Sequence, residues 1–162
     1  SIALASTTFV GQNYGAKQLD RARDGVKKAQ ILSVAITLVL SAFIFVFARP
    51  LSSLISPDPE VLNYSELFVH MMAPFHFTLC FNQTYAGALR GIGKAKSPML
   101  IMLFSFVVFR QIYLFIVKLC GNSLTLIALG YPMGWMVCSL LLMIAYRRSE
   151  LCRSTAPSAE AA

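Results

Sequence analysis

Four long apolar stretches, Ala29–Ala48, Leu67–Leu89, Pro98–Leu119 and Leu124–Tyr146, occupy most of this chain. Each is about as long as a helix must be to cross a bilayer, roughly 20 residues. Together they leave too little polar sequence for a soluble domain of 162 residues. Only 13% of the residues are charged and the mean hydropathy is +0.66, where a soluble domain carries about 25% charged residues. The sequence therefore reads as an all-α membrane protein, and the remaining inferences use membrane rules.

The net charge of +7 would suit nucleic acid if the cations formed a patch with aromatic residues between them. They do not. Lys17, Arg21, Arg23, Lys27 and Lys28 precede the first full span. Arg90, Lys94 and Lys96 lie between the second and third, and Arg147, Arg148 and Arg153 follow the fourth. The alternate connectors hold only Arg49 and Lys118, with Asp58, Glu60 and Glu66 beside them. Eleven basic residues against two is the positive-inside pattern, which sets topology and excludes nucleic acid as the partner. The expected order is in-to-out, out-to-in, in-to-out, out-to-in, with the C-terminus cytoplasmic. Cys80, Cys120, Cys138 and Cys152 are too widely spaced for a zinc site or a disulfide framework. Asn63-Tyr64-Ser65 matches a glycosylation sequon, a short motif that chance explains.

Local chemistry marks the boundaries. Residues 1–16, apolar at first and punctuated by Gly11 and Gly15, read as the end of a membrane helix whose beginning is missing. Residues 17–28 read as a basic loop or short helix along the cytoplasmic face, residues 29–148 as a four-helix bundle, and residues 149–162 as a disordered tail. Arg49-Pro50 ends the first span, because proline cannot continue the donor ladder. Asp58 is placed to cap a helix with Pro59 in its first position, and Ser97-Pro98 repeats that signal. Gly121-Asn122-Ser123 reads as a tight outer turn.

Polar residues inside the spans are where function is expected. The first span is almost wholly apolar and suits lipid. In the second, Pro74, Thr78, Asn82, Tyr85 and Leu89 follow one helical stripe, and His76, Cys80, Gln83 and Gly87 the next. Such a helix must turn that half away from lipid. Either it walls a substrate cavity, or its polar groups bond between helices and hold the bundle together. Pro74 should kink it. His70 and His76 read as hydrogen-bonded structural residues. Arg110 lies about 18 Å along the helix from Pro98, beyond the midplane, where an arginine costs about 2.5–3.5 kcal/mol on insertion scales. It either snorkels to the headgroups or serves as a cavity charge, with Gln111 beside it. Gly130 and Gly134 form a GxxxG for close helix packing, and Tyr131-Pro132 should bend that helix. The glycine-rich run Gly87–Lys94 is no P-loop, because Ala95 stands where Ser or Thr is needed. No catalytic set or metal triad is visible, so no enzyme is expected.

Two segments carry a family resemblance. FVGQNYGAKQLDRARDGVKKA and YAGALRGIGKAKSPM resemble the corresponding segments of the MATE multidrug and toxin extrusion transporters, and FRQIYLF and ALGYPMGWMVCSLLLMIAYRR are similar to that family's last two helices. The resemblance implies the partial C-terminal lobe of a twelve-helix transporter, embedded in the bacterial inner membrane. It further implies exchange of Na⁺ or H⁺ for organic cations and xenobiotics by alternating access, with the missing N-terminal lobe of the same chain as partner. Thr78, Asn82, Gln83, Tyr85, Arg110 and Gln111 are then the candidate cavity residues. Gln12, Asn13, Gly15, Arg90 and Gly91 would organise the cytoplasmic helix ends. The helix corresponding to Leu67–Leu89 carries no carboxylate, so the coupling ion is expected mainly in the missing lobe, with no other cofactor. A lipid-linked oligosaccharide flippase of the same architecture, or a stand-alone four-helix assembly subunit, are the rival readings.

Overall fold

The computed structural model describes residues 2–119 and 124–153. Among them every regular element is a helix, and there is no strand. Helix α1 spans Ile2–Gly15, α2 Leu19–Val46, α3 Ala48–Ser53 and α4 Pro59–Met72. Next come α5 His76–Gly91, α6 Lys96–Leu103, α7 Phe109–Leu119, α8 Leu124–Arg147 and α9 Glu150–Arg153. A 3₁₀ turn, Ala73–Phe75, joins α4 to α5, and a π-helical segment, Phe104–Val108, joins α6 to α7.

Among the described residues, three stretches are long and apolar enough to cross a membrane: Leu19–Val46, Lys96–Leu119 and Thr125–Arg147. The fourth expected span is the broken one. Pro74 has no N–H to give to the helical ladder, so α4 ends at Met72 and the chain passes through the 3₁₀ turn before α5 resumes at His76.

Several boundaries depart from the sequence reading. The basic segment 17–28 is not a separate element: α2 begins at Leu19 and runs unbroken for 28 residues. At 1.5 Å per residue that is about 42 Å, longer than a hydrocarbon core of about 30 Å. The excess is the charged end, which continues the membrane helix instead of lying across its mouth. The break after this span falls at Phe47 rather than at Pro50, which sits in the first turn of α3, where its missing N–H costs nothing. Ser97 is not a cap: α6 starts at Lys96 behind Ala95, with no side-chain bond at its N-terminus. Asp58 does cap α4, accepting the Glu60 N–H at 2.9 Å with Pro59 next in line. Residues 150–153 of the expected tail are helical, and Leu151 is fully buried. The Gly121–Ser123 turn and the tail beyond residue 153 lie outside the described residues.

The core gathers at the basic end of the bundle. Val10 of α1, Ala22 and Val26 of α2, Leu89 of α5, Leu142 of α8 and Leu151 of α9 pack there as one cluster. Small residues let the backbones approach. A Cβ on Gly91 would stand 2.8 Å from the Thr7 carbonyl oxygen, and one on Gly87 2.8 Å from the Thr7 hydroxyl. Gly11 faces back, its Cβ position 3.3 Å from the Gly91 carbonyl oxygen. This seam between α1 and α5 is a small-xxx-small contact of the kind that substitutes for a hydrophobic driving force in lipid.

Candidate functional site

Helix α5 lies between α1, α2 and α8, and its polar residues are consequently buried. Thr78 is 6% exposed and Asn82 1%. Asn82 reaches across to α8, donating from Nδ2 to the Trp135 carbonyl at 3.3 Å, and its Oδ1 has no partner among the described residues. Beside it opens a cleft of about 280 Å³. Helix α5 contributes Leu79, Asn82 and Gln83. The α6–π–α7 stretch contributes Met102, Ser105, Phe106 and Arg110, and α8 contributes Gly130, Tyr131, Gly134 and Trp135.

The wall opposite α5 owes its shape to two local irregularities. The π segment puts Ser105 fully inside, and Gly134 receives it: a Cβ there would lie 3.5 Å from the Ser105 carbonyl oxygen. Gly130 lies against the Tyr113 ring, whose hydroxyl donates to the Leu126 carbonyl at 2.8 Å. Pro132 sits inside α8, which stays a single helix around it. The GxxxG therefore packs α8 onto the segment that carries Arg110. The Arg110 guanidinium carbon stands 3.9 Å from the centre of the Tyr131 ring, a cation–π contact. That contact compensates part of the charge inside the span, and no carboxylate partner is seen for it among the described residues.

Of the expected cavity residues, Asn82, Gln83 and Arg110 share this cleft. Thr78 does not line it; its hydroxyl donates to the Phe75 carbonyl at 2.7 Å, securing the first turn after the Pro74 break. Tyr85 packs against Tyr146 with ring centres 4.9 Å apart, near the basic-end core. Gln111 is exposed on the far side of α7. His76 meets Ser41 Oγ at 3.0 Å through Nδ1, and His70 meets the Phe45 carbonyl at 3.1 Å through Nε2. Both tie the broken span to α2. Sequence reasoning missed Trp135, Tyr131, Phe106 and Ser105. Tyr131 and Trp135 follow Gly130 and Gly134 by one residue each, and that one-turn spacing was the available signal.

The helix-end residues divide similarly. Asn13 is buried, its side chain donating to the Phe9 carbonyl at 2.8 Å and its own carbonyl accepting from Gln18 N–H at 2.8 Å. Gln12 is exposed and contributes its carbonyl, 3.0 Å from the Ala16 nitrogen. Gly91 is the seam residue described above. Among the described residues Arg90 bonds its own helix, Nε to the Ala86 carbonyl at 3.2 Å. Gly15 has open space at its Cβ position, and the left-handed turn falls on Lys17 (φ 57°) instead.

Known proteins give this architecture a place. The MatE family model matches residues 1–116. The chain belongs to the MatE family. Its similarity to a probable multidrug resistance protein NorM from Thermotoga maritima is 33% identity, over 64% of this chain and 22% of that protein. It is 27% identical to multidrug resistance protein PmpM of Pseudomonas aeruginosa and 32% identical to an FAD transporter of Shewanella oneidensis. These matches cover 65% and 63% of this chain, and 22% and 23% of those proteins. These matches thus span about a fifth of the length of those relatives. The fold agrees with that of a multidrug resistance MATE family transporter in an inward-facing conformation, with a TM-score of 0.80 at 19% identity, over 90% of this chain and 34% of that one. An outward-facing structure of such a transporter matches at 0.79 and 20%, over 90% and 33%. This is a transporter family rather than an enzyme family.

Proposed function

We propose that the chain is part of a multidrug exporter that moves organic cations and other xenobiotics across the bacterial inner membrane by alternating access. The observation that carries this reading is the cleft itself. In a bundle whose outer surface is apolar, two amides and a guanidinium converge between α5, α7 and α8, beside aromatic walls. Ligand sites of transporters form in such places, near the midplane and around interrupted helices. The two interruptions here, the 3₁₀ turn at Pro74 and the π segment at Phe104–Val108, lie on elements that frame it, and the third element, α8, carries Pro132 within an unbroken helix.

Exchange for Na⁺ or H⁺ supplies the driving force in this reading. No Asp or Glu lines the cleft, so the carboxylates that bind the coupling ion belong to the part of the transporter beyond this chain. The eleven-to-two bias of basic residues supports a cytoplasmic basic end and C-terminus. The chain's share of its relatives' length supports a second lobe as its partner.

The test is Asn82→Ala in the full-length transporter. Drug resistance of cells making the variant should fall several-fold at unchanged membrane expression. Unchanged resistance would remove Asn82 from the transport path.

A further inference from the structure

We infer that Arg110 is an anion subsite of the cleft, one that takes the carboxylate of an aromatic acid. The inference rests on the export reading for its biological use, and on geometry for its chemistry. Arginine stays charged wherever it is placed. Ion pairs neutralise other cations of this chain, but they lie at the ends: Arg23 with Asp20, Arg49 with Glu66 and Lys94 with Glu150. Arg110 makes no ion pair and no hydrogen bond among the described residues; its contact is the Tyr131 ring. A ring face offsets charge, yet it leaves the planar fork of N–H donors without acceptors. That fork matches a carboxylate in two parallel hydrogen bonds.

The surroundings fit the rest of such a molecule. Phe106, Tyr131 and Trp135 offer flat apolar walls, and the free Asn82 Oδ1 offers an acceptor for one donor substituent. The volume of about 280 Å³ falls just below the range of about 300–1,000 Å³ typical of drug-sized ligands. It suits a one- or two-ring acid, or the acidic end of something larger. With no carboxylate on its walls, the cleft meets a positively charged group with its aromatic faces rather than with an ion pair.

The probe is naphthoate, compared with the neutral naphthamide of the same shape. Binding of each is titrated by fluorescence to the purified full-length transporter in an uncharged detergent. Naphthoate should bind the unmodified protein more tightly than naphthamide. In Arg110→Gln its affinity should fall about tenfold or more, as expected for loss of a charge-assisted pair, while naphthamide binding should change less than about twofold. Arg110→Lys, which keeps the charge without the fork, should lie between. Retained naphthamide binding shows that the variant cleft is folded. Three results overturn the subsite: equal weakening of both probes, as when an acidic residue beyond this chain pairs with Arg110; no weakening of either; or an unmodified protein with no preference for the acid. Export of an organic cation, tetraphenylphosphonium, from loaded vesicles is read separately. Absence of export alongside an intact binding difference sinks the transport reading and leaves the subsite standing.

Discussion

Helices α2 and α5 cross the same bundle and answer to different solvents. The most apolar window of α2 has a mean hydropathy of 2.4, and only 6% of it is buried inside the fold. Val39 and Val46 are 70% and 71% exposed. Helix α5 carries Thr78, Asn82 and Thr84 and buries all three to 6% exposure or less. In water that arrangement would be inverted. In lipid it is the stable one, because hydrocarbon solvates leucine and cannot solvate an amide. The least apolar span is therefore the most enclosed, and the interior of the protein is found by looking for polarity.

That contrast is broken or sharpened first at the α1–α5 seam. Gly91→Ala sets a methyl group against the Thr7 backbone and Val10, neither of which is the end of a flexible chain. Overpacking of this kind costs about 1–3 kcal/mol, so the full-length transporter in detergent should unfold at a distinctly lower temperature. Leu40→Ala on α2, where the side chain is 55% exposed, should change stability by less than about 0.5 kcal/mol. If the two variants behave alike, the claim that α5 is the inner helix fails.

A smaller effect separates the two glycines of the GxxxG on α8. The Cβ of an alanine at position 130 would lie 3.0 Å from the Tyr113 ring, and one at 134 would find ordinary contacts at 3.5 Å and beyond. Gly130→Ala should therefore cost about 1 kcal/mol, at the low end of overpacking, and Gly134→Ala close to nothing, both read from thermal unfolding. The ring can swing only by giving up its bond to the Leu126 carbonyl. Equal sensitivity at both positions would mean that backbone approach, and not the tyrosine, sets the fit.

Much of this architecture was legible in the sequence, for a physical reason. Apolar length and the side on which cations fall are summed properties, insensitive to any single contact. So the helical class, three of the four expected spans and the irregularity at Pro74 could be read directly. Asn82, Gln83 and Arg110 were legible as well, since an amide or a guanidinium in a span must go inward or pair. What could not be read depends on pairwise packing. Tyr85 and Gln111 have the polarity of cavity residues, but the azimuth of α5 points Tyr85 at Tyr146, and Gln111 faces outward. Trp135 and Phe106 look like membrane residues anywhere until the π segment brings them to one wall. The basic end misled differently: charged residues suggested a loop or short helix along the cytoplasmic face, whereas Ala22 and Val26, four apart, form a buried helical stripe that extends α2 itself.

The weakest link between the two kinds of helix is the clasp at that basic end. Glu150 of α9 accepts the Lys94 ammonium at 2.8 Å and the Tyr14 hydroxyl at 2.6 Å, while the Arg23 side chain donates to the Leu151 carbonyl. The chain end is thereby tied to α1, to α2 and to the connector after α5. The lysine, and after it the tyrosine bond, hold the Glu150 carboxyl below its ordinary value of 4.5. A depressed carboxyl contributes its stability above the unfolded value and loses it as the pH falls through the folded one. The clasp should therefore be intact at neutral pH and let go in acid below 4.5. The Lys94 and Glu150 side chains are 44% and 58% exposed, so salt should weaken their pairing too. Glu150→Gln should abolish the acid-dependent part of amide exchange in α9 and leave exchange in α5 unchanged. If residues 150–153 exchange at the same rate in the variant and the parent at neutral pH, burial of Leu151 alone docks α9, and the charges at the membrane edge only set direction.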